Sequence, residues 1–213
     1  WAVSCANSAT GEMKQWSYNS LMYYCVASAD YNVGVVTNSW GQIYSIDWNF
    51  YDKFESTDTR RSLLLTEYTS NSGVLKNRSN LPGAVILKYK NMSGDVNSFA
   101  GNDIVVLRYS DVLLMLAEAI NENSGPTSEA CDLVNQIRQR ASTSLLSTDE
   151  KASKESLRDA IFIERGKEFY LEGSRKLDLV RMNKYNSVLP QMAIPKTVGP
   201  NYLVLPLPSY VVE

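Results

Sequence analysis

The stretch Arg108-Tyr-Ser-Asp-Val-Leu-Leu-Met-Leu-Ala-Glu-Ala-Ile-Asn-Glu122 constrains the fold more than any other part of this chain. Leu113, Leu116, Ala117 and Ile120 recur at i, i+3, i+4 and i+7, the spacing of one apolar helix face. Ser110 is placed to cap the helix, and Asp111 puts a negative charge in its first turn, where the helix dipole favours it. Gly125-Pro126 ends the run. Ala130, Leu133, Val134 and Ile137 repeat the pattern a few residues later. So short a connection predicts an antiparallel helical hairpin, with Ala117 and Ala130 letting the two helices approach closely.

A third run, Ser156 to Gly173, carries Leu157, Ile161, Glu164, Glu168 and Leu171 on one stripe. Two carboxylates therefore interrupt an apolar face, and carboxylates placed there must be paired or protonated. Arg165, Arg175 and Arg181 are the partners nearest in sequence. Gly173 is positioned for a left-handed cap, and Ser174 to start a further helix in which Asp178 and Arg181 lie three apart and can pair. Two carboxylates flanking a cleft could serve a glycosidase. Arginine neighbours, however, keep carboxylates ionised, the reverse of what a general acid requires. The expected role is a structural ion-pair network, and no catalytic residue is assigned.

Before Arg108 the chain reads as loops with short elements. Asp47 to Phe54 fits a short helix with Phe50, Tyr51 and Phe54 on one side, followed by a polar turn at Asp58-Thr-Arg-Arg61. Leu63 to Leu65 and Ala84 to Tyr89 read as extended segments, separated by Asn71-Ser-Gly73 and Pro82-Gly83. Successive helical hairpins with no fixed repeat point to a tetratricopeptide-like stack. The expected fold is mainly α, with helical hairpins packed against a loop-rich region holding few short strands.

The 213 residues include no histidine. That removes Ser-His-Asp and Cys-His nucleophile activation and most zinc and di-iron ligand sets. The three cysteines, Cys5, Cys25 and Cys131, match no metal spacing; free thiols are expected, with a Cys5–Cys25 bridge left open. No metal and no cofactor is expected. A net charge of −2 gives no electrostatic footprint for nucleic acid. No apolar run is long enough to span a bilayer as a helix. The chain opens at Trp1 without an initiator methionine, so it is expected to be processed or a fragment.

Three strings carry a resemblance: Leu107 to Glu122, Val134-Asn-Gln-Ile-Arg-Gln-Arg-Ala141, and Ile163-Glu-Arg-Gly-Lys-Glu-Phe-Tyr-Leu-Glu-Gly-Ser-Arg-Lys-Leu-Asp-Leu-Val-Arg181. In this order and spacing they resemble the carboxy-terminal part of SusD/RagB family proteins, as do Asp58-x-Arg60 and the Lys88-Tyr89 segment. The resemblance runs from about Asp47 to the end. It implies an outer-membrane lipoprotein of the Bacteroidetes, facing the exterior, that captures oligosaccharide or polysaccharide for a SusC-like TonB-dependent transporter. It also implies that residues 1–213 are the carboxy-terminal part of one such domain. Residues 1–103 are then the loop-rich, ligand-facing region, 104–185 the helical motifs and 186–213 an extended tail. The family's lipidated cysteine and first helical half have no counterpart here, so the lipid anchor is expected outside this chain.

A sugar site needs aromatic faces for the C–H sides of pyranose rings and polar groups to orient the hydroxyls. The front of the chain holds both. Trp16, Tyr18, Tyr31, Trp40 and Trp48 are the aromatic candidates, and Asp30, Asn32, Asn38 and Gln42 the polar ones. The competing role for each ring is to fill a core beneath long loops. Trp40, in Asn38-Ser-Trp-Gly41, is the leading candidate because its flanking residues suit a turn that exposes the ring. Two other readings remain, a helical-repeat adaptor that binds protein only and a hydrolase working through carboxylates.

Overall fold

The computed structural model describes residues 2–3, 44–89 and 103–196. Two layers are built around separate apolar clusters. The first layer is irregular. Its short helix α1, Trp48–Tyr51, starts where the Asp47 carboxylate accepts the Asn49 N–H at 3.0 Å. A 3₁₀ turn, Thr59–Leu63, follows. Strands of two residues then pair in antiparallel ladders. β1 (Ala2–Val3) pairs with β6 (Ile104–Val105), β2 (Leu64–Leu65) with β5 (Val85–Ile86), and β3 (Tyr68–Thr69) with β4 (Leu75–Lys76). Ladders this short are not stable alone. The β2–β5 and β3–β4 ladders are held because Trp48, Phe54, Leu64, Tyr68, Val85, Ile86 and Tyr170 bury their side chains together.

Gly83 lets this layer close. A single bridge joins Ile46 to Ala84, with N···O distances of 3.0 and 2.8 Å. A Cβ on Gly83 would lie 2.3 Å from the Ile46 carbonyl oxygen, a backbone atom that cannot swing aside. Gly83→Ala should therefore cost about 1–3 kcal/mol, as overpacking does, read as a lower urea midpoint. An unchanged midpoint would show that the bridge opens freely.

The second layer is helical. α2 (Tyr109–Ser124) and α3 (Ser128–Arg140) form the expected hairpin, joined through Gly125 at φ +80° and capped by Thr127, whose hydroxyl accepts the Ala130 N–H at 3.2 Å. Ala117 and Ala130 are both fully buried. α4 (Lys154–Glu168) runs back along α2: Glu122 pairs with Arg158 at one end, and Asp111 with Arg165 at the other. Ser153 caps α4 through the Ser156 N–H at 3.0 Å. A bend, with Leu171 at φ +64° and Gly173 at φ +82°, leads to α5 (Arg175–Arg181) and then α6 (Tyr185–Val188). The architecture is mainly α, with paired helices against a loop-rich layer, as the sequence predicts.

Several details differ. The buried face of α2 is rotated from the one predicted: Leu116 is 45% exposed, whereas Leu114 and Asn121 are fully buried. The reason is a second neighbour. α2 packs on α4 as well as α3, and the Asn121 side-chain amide donates to the Lys154 carbonyl at 2.8 Å. Ser110 does not cap α2. Arg108 occupies that position without a side-chain capping bond, and the buried Ser110 hydroxyl accepts from the Arg108 guanidinium at 3.0 Å. Gly173 does not cap α4, which stops at Glu168; it shapes the bend before α5 instead. Ser174 precedes α5 without a side-chain cap bond. In the polar turn at 58–61, Asp58 and Arg60 are buried, while Thr59 is exposed and Arg61 half-buried. The start of the segment expected as an extended tail is helical, with α6 followed by a 3₁₀ turn at Leu189–Gln191.

Candidate functional site

Of the predicted sugar-contact residues, Trp16, Tyr18, Tyr31, Asn38 and Trp40 lie outside the described residues, as do Asp30, Asn32 and Gln42. Trp48 is described, and its position corrects the expectation for that ring. It is 5% exposed, its indole N–H donates to the Leu81 carbonyl at 3.0 Å, the Tyr51 ring meets it edge-on, and the Arg78 guanidinium lies 5.2 Å from its centre. Trp48 is a core ring with its polar handle satisfied. Cys131 is free and buried, and burial raises its thiol pKa; Cys5 and Cys25 lie outside the described residues.

The charged stripe on α4 joins the two layers. Both oxygens of the fully buried Glu164 are occupied: Arg60 Nη1 donates to Oε1 at 2.8 Å and Arg138 Nε to Oε2 at 3.1 Å. Glu168 receives Arg60 Nη1 at 3.1 Å and Arg140 Nη2 at 2.5 Å on Oε2, and Arg108 Nη1 on Oε1. Arg60 is in turn held by Asp58 through its Nε at 2.9 Å and Nη2 at 2.8 Å. Beyond Glu168, Glu172 takes Arg108 Nε at 2.9 Å and the Lys88 ammonium. Desolvation alone would raise the Glu168 carboxyl, but the Arg140 hydrogen bond and the Arg108 charge overcome it and hold the pKa at about 2. A carboxyl so held carries no proton near neutrality and cannot act as a general acid.

The ion-pair network predicted for Glu164 and Glu168 is therefore present, but with other partners. Arg165 binds Asp111 and Asp178, and Arg181 binds Glu118 and Asp178, the latter being the predicted i,i+3 pair. Arg175 has no carboxylate within bonding distance among the described residues. The true partners come from distant segments. One was legible: Arg138 continues the stripe Ala130, Val134 at the next i+4 position. Arg60 had no periodic pattern around it to mark it as buried.

A cavity of about 1020 Å³ opens between α1, the second half of α4, α5 and the 187–192 segment. Tyr44, Leu171, Val188, Leu189 and Met192 give it apolar walls, and Arg175 reaches it from α5. Among the described residues no cluster of His, Cys, Asp or Glu is placed to hold a metal ion. Nor is any helix there long and apolar enough to cross a membrane.

Helix pairs with arginine-saturated acids on their inner faces, set on a loop-rich layer, define a helical scaffold whose ionised groups are used for packing. The sequence profile of the SusD family matches residues 7–202, and the chain belongs to that family. SusD-like protein P2 of Formosa agariphila is 30% identical over 207 residues, covering 87% of this chain and 39% of that protein. Surface glycan-binding protein A from Bacteroides thetaiotaomicron superposes with a TM-score of 0.69 at 20% identity, covering 100% of this chain and 49% of that structure. The same protein in complex with laminarihexaose superposes at 0.63, with 21% identity, covering 90% of this chain and 44% of that structure. At these identities the structures share the fold. The chain spans less than half the length of each of these proteins.

Proposed function

We propose that this chain is part of a cell-surface glycan-binding subunit. It captures oligosaccharide or polysaccharide at the exterior of the outer membrane and passes it to a SusC-like TonB-dependent transporter. A lipid anchor outside this chain would hold it there. Membership of the SusD family across residues 7–202 carries this reading. A neighbour of the same fold solved with laminarihexaose supports a glycan as the ligand. The subunit binds without cutting, a reading supported by the commitment of Glu164 and Glu168 on α4 to arginine. Sugar contact is assigned to Trp40 first, and to Trp16, Tyr18, Tyr31 and Asn38. Trp48 belongs to the buried apolar cluster and is left out of this assignment.

Affinity gels loaded with a panel of polysaccharides, run with the full-length protein, test this reading. At least one glycan should retard it, and no reducing ends should appear on incubation. Trp40→Ala should weaken retention about tenfold, since aromatic stacking contributes roughly 1 kcal/mol or more, with little change in melting temperature. A large loss of stability with binding unchanged per folded molecule would instead put Trp40 in the core.

One observation favours a protein-binding role as the second reading. Tyr109 (72% exposed), Val112 and Leu116 form an apolar stripe on the outer side of α2. A protein that ignores every glycan on the gels would move the assignment to that stripe.

A further inference from the structure

Arg175 is an unusual arginine for this chain. The other arginines on α4 and α5 meet acids, as do those at 60, 108, 138 and 140. The Arg175 guanidinium lies between two phenyl rings, 4.0 Å from the centre of Phe162 and 5.0 Å from that of Phe50. Its Nη1 donates to the Phe162 carbonyl at 3.0 Å. A guanidinium carries five N–H donors, and the others have no protein acceptor among the described residues. The position is built for this side chain. A Cβ on Gly166 would lie 2.6 Å from Phe50 Cζ and 2.8 Å from Arg175 Nη1, so only glycine leaves the slot open. Burial lowers the guanidinium to about 10, against Asp178, which raises it. The cation is thus held partly desolvated, with Asp178 acting only at a distance and no carboxylate in bonding contact among the described residues.

The surroundings share this bias. Lys53, Arg165, Lys176 and Lys184 line the same cavity, against two carboxylates, Asp47 and Asp159. Both carboxylates are occupied: Asp47 accepts the N–H groups of Asn49 and Ala193, and Asp159 pairs with Lys184 at 2.7 Å. Lys53, Arg175 and Lys176 have no acid partner among the described residues. The cavity, at about 1020 Å³, matches the upper end of small-molecule pockets at roughly 300–1,000 Å³. Aliphatic side chains and Ser45, Ser174 and Ser187 share its walls. That mixture suits a ring with C–H faces and hydroxyl rims. An extended peptide would need a free backbone edge, and the walls here are mainly helix sides, whose backbone groups pair internally.

We infer that this cavity binds an acidic sugar, a uronic acid unit of a glycan, with its carboxylate on the open N–H edge of Arg175. The planar fork of a guanidinium matches a carboxylate in a way an ammonium does not, and Lys53 and Lys176 add attraction at the mouth. This inference rests on the glycan-binding reading above and names the class of glycan.

The test uses the full-length protein and oligomers of galacturonate, mannuronate and guluronate, each beside its methyl ester, with neutral glucans as a third arm. Esterification removes the charge and leaves the ring. At least one acid should bind about tenfold or more tightly than its ester. Arg175→Gln should abolish that preference. Lys53→Gln, an exposed change that spares the packing, should reduce it about threefold, and serves alone if Arg175→Gln does not fold. Acids and esters retained alike, or a preference untouched by the variants that fold, would overturn the inference. If neutral glucans bind while acids and esters are not distinguished, glycan binding stands and only this inference falls. If no glycan of any kind binds, both fall.

Discussion

Arg60→Met should destabilise the protein by roughly 3–5 kcal/mol, the usual cost of removing one partner from a buried ion-pair network. In a chain of this size that lowers Tm by on the order of 10 °C. Methionine keeps most of the volume, so the loss reports charge rather than a cavity. Arg60 is 9% exposed and donates to three carboxylates, Asp58, Glu164 and Glu168. Without it Asp58 loses its partner, and Glu164 keeps only Arg138. Arg60 also ties the loop-rich layer to α4, so both apolar clusters lose their shared clamp. Arg60→Lys should recover little, because one ammonium cannot reproduce a fork that serves three acids. Arg78→Met is the control. Its pair with Asp52 is about half exposed on both sides, and solvent screening leaves such a pair little influence on stability. If the two variants melt alike, water reaches Arg60 and the network is not buried.

How much of this was legible in the sequence depends on how many neighbours an element has. α3 packs where its apolar stripe says it should: Ala130, Leu133, Val134 and Ile137 are all buried. α2 was predicted with one partner and has two, so its face widened toward α4, burying Leu114 and Asn121 and leaving Leu116 outside. Local spacing encodes one face and is silent about a second helix arriving from later in the chain. The same limit governs the charges. That Glu164 and Glu168 sit on an apolar stripe follows from spacing along α4 alone. Which arginines meet them depends on the tertiary fold, and Arg60 reaches Glu164 across 104 positions. Trp48 shows why the sugar site was less legible. A tryptophan beside a short helix packs or binds according to what covers it, and here Leu81 and Arg78 cover it. Arg175 stands in a motif that sequence reading assigned to ion pairing, and only the cavity shows that it lacks an acid.

Acid should weaken this fold through Glu168 in a defined window. Its folded pKa, about 2, lies below the ordinary 4.5 because Arg140 and Arg108 outweigh desolvation. A carboxyl depressed in the folded state contributes stability that is fully present above the unfolded pKa. That contribution is lost as pH falls from about 4.5 through about 2, where the folded form also takes up its proton. A shift of this size corresponds to roughly 3 kcal/mol at 1.36 kcal/mol per pH unit. Glu168 is 3% exposed, so solvent screening removes little of it. Glu150 acts in the same direction: burial would raise its carboxyl, but the Arg138 hydrogen bond lowers it. Other carboxylates add their own slope, so the comparison must isolate Glu168. Glu168→Gln keeps the shape and removes the titration. It should be less stable than the parent at pH 6. The gap should shrink by about 3 kcal/mol as pH is lowered to 2, because the parent loses what the variant never had. Urea midpoints for both proteins at pH 6, 4.5, 3 and 2 give the two curves. Curves that stay parallel to pH 2 would show that Glu168 titrates alike in the folded and unfolded chain, and that the arginines around it do not hold its charge.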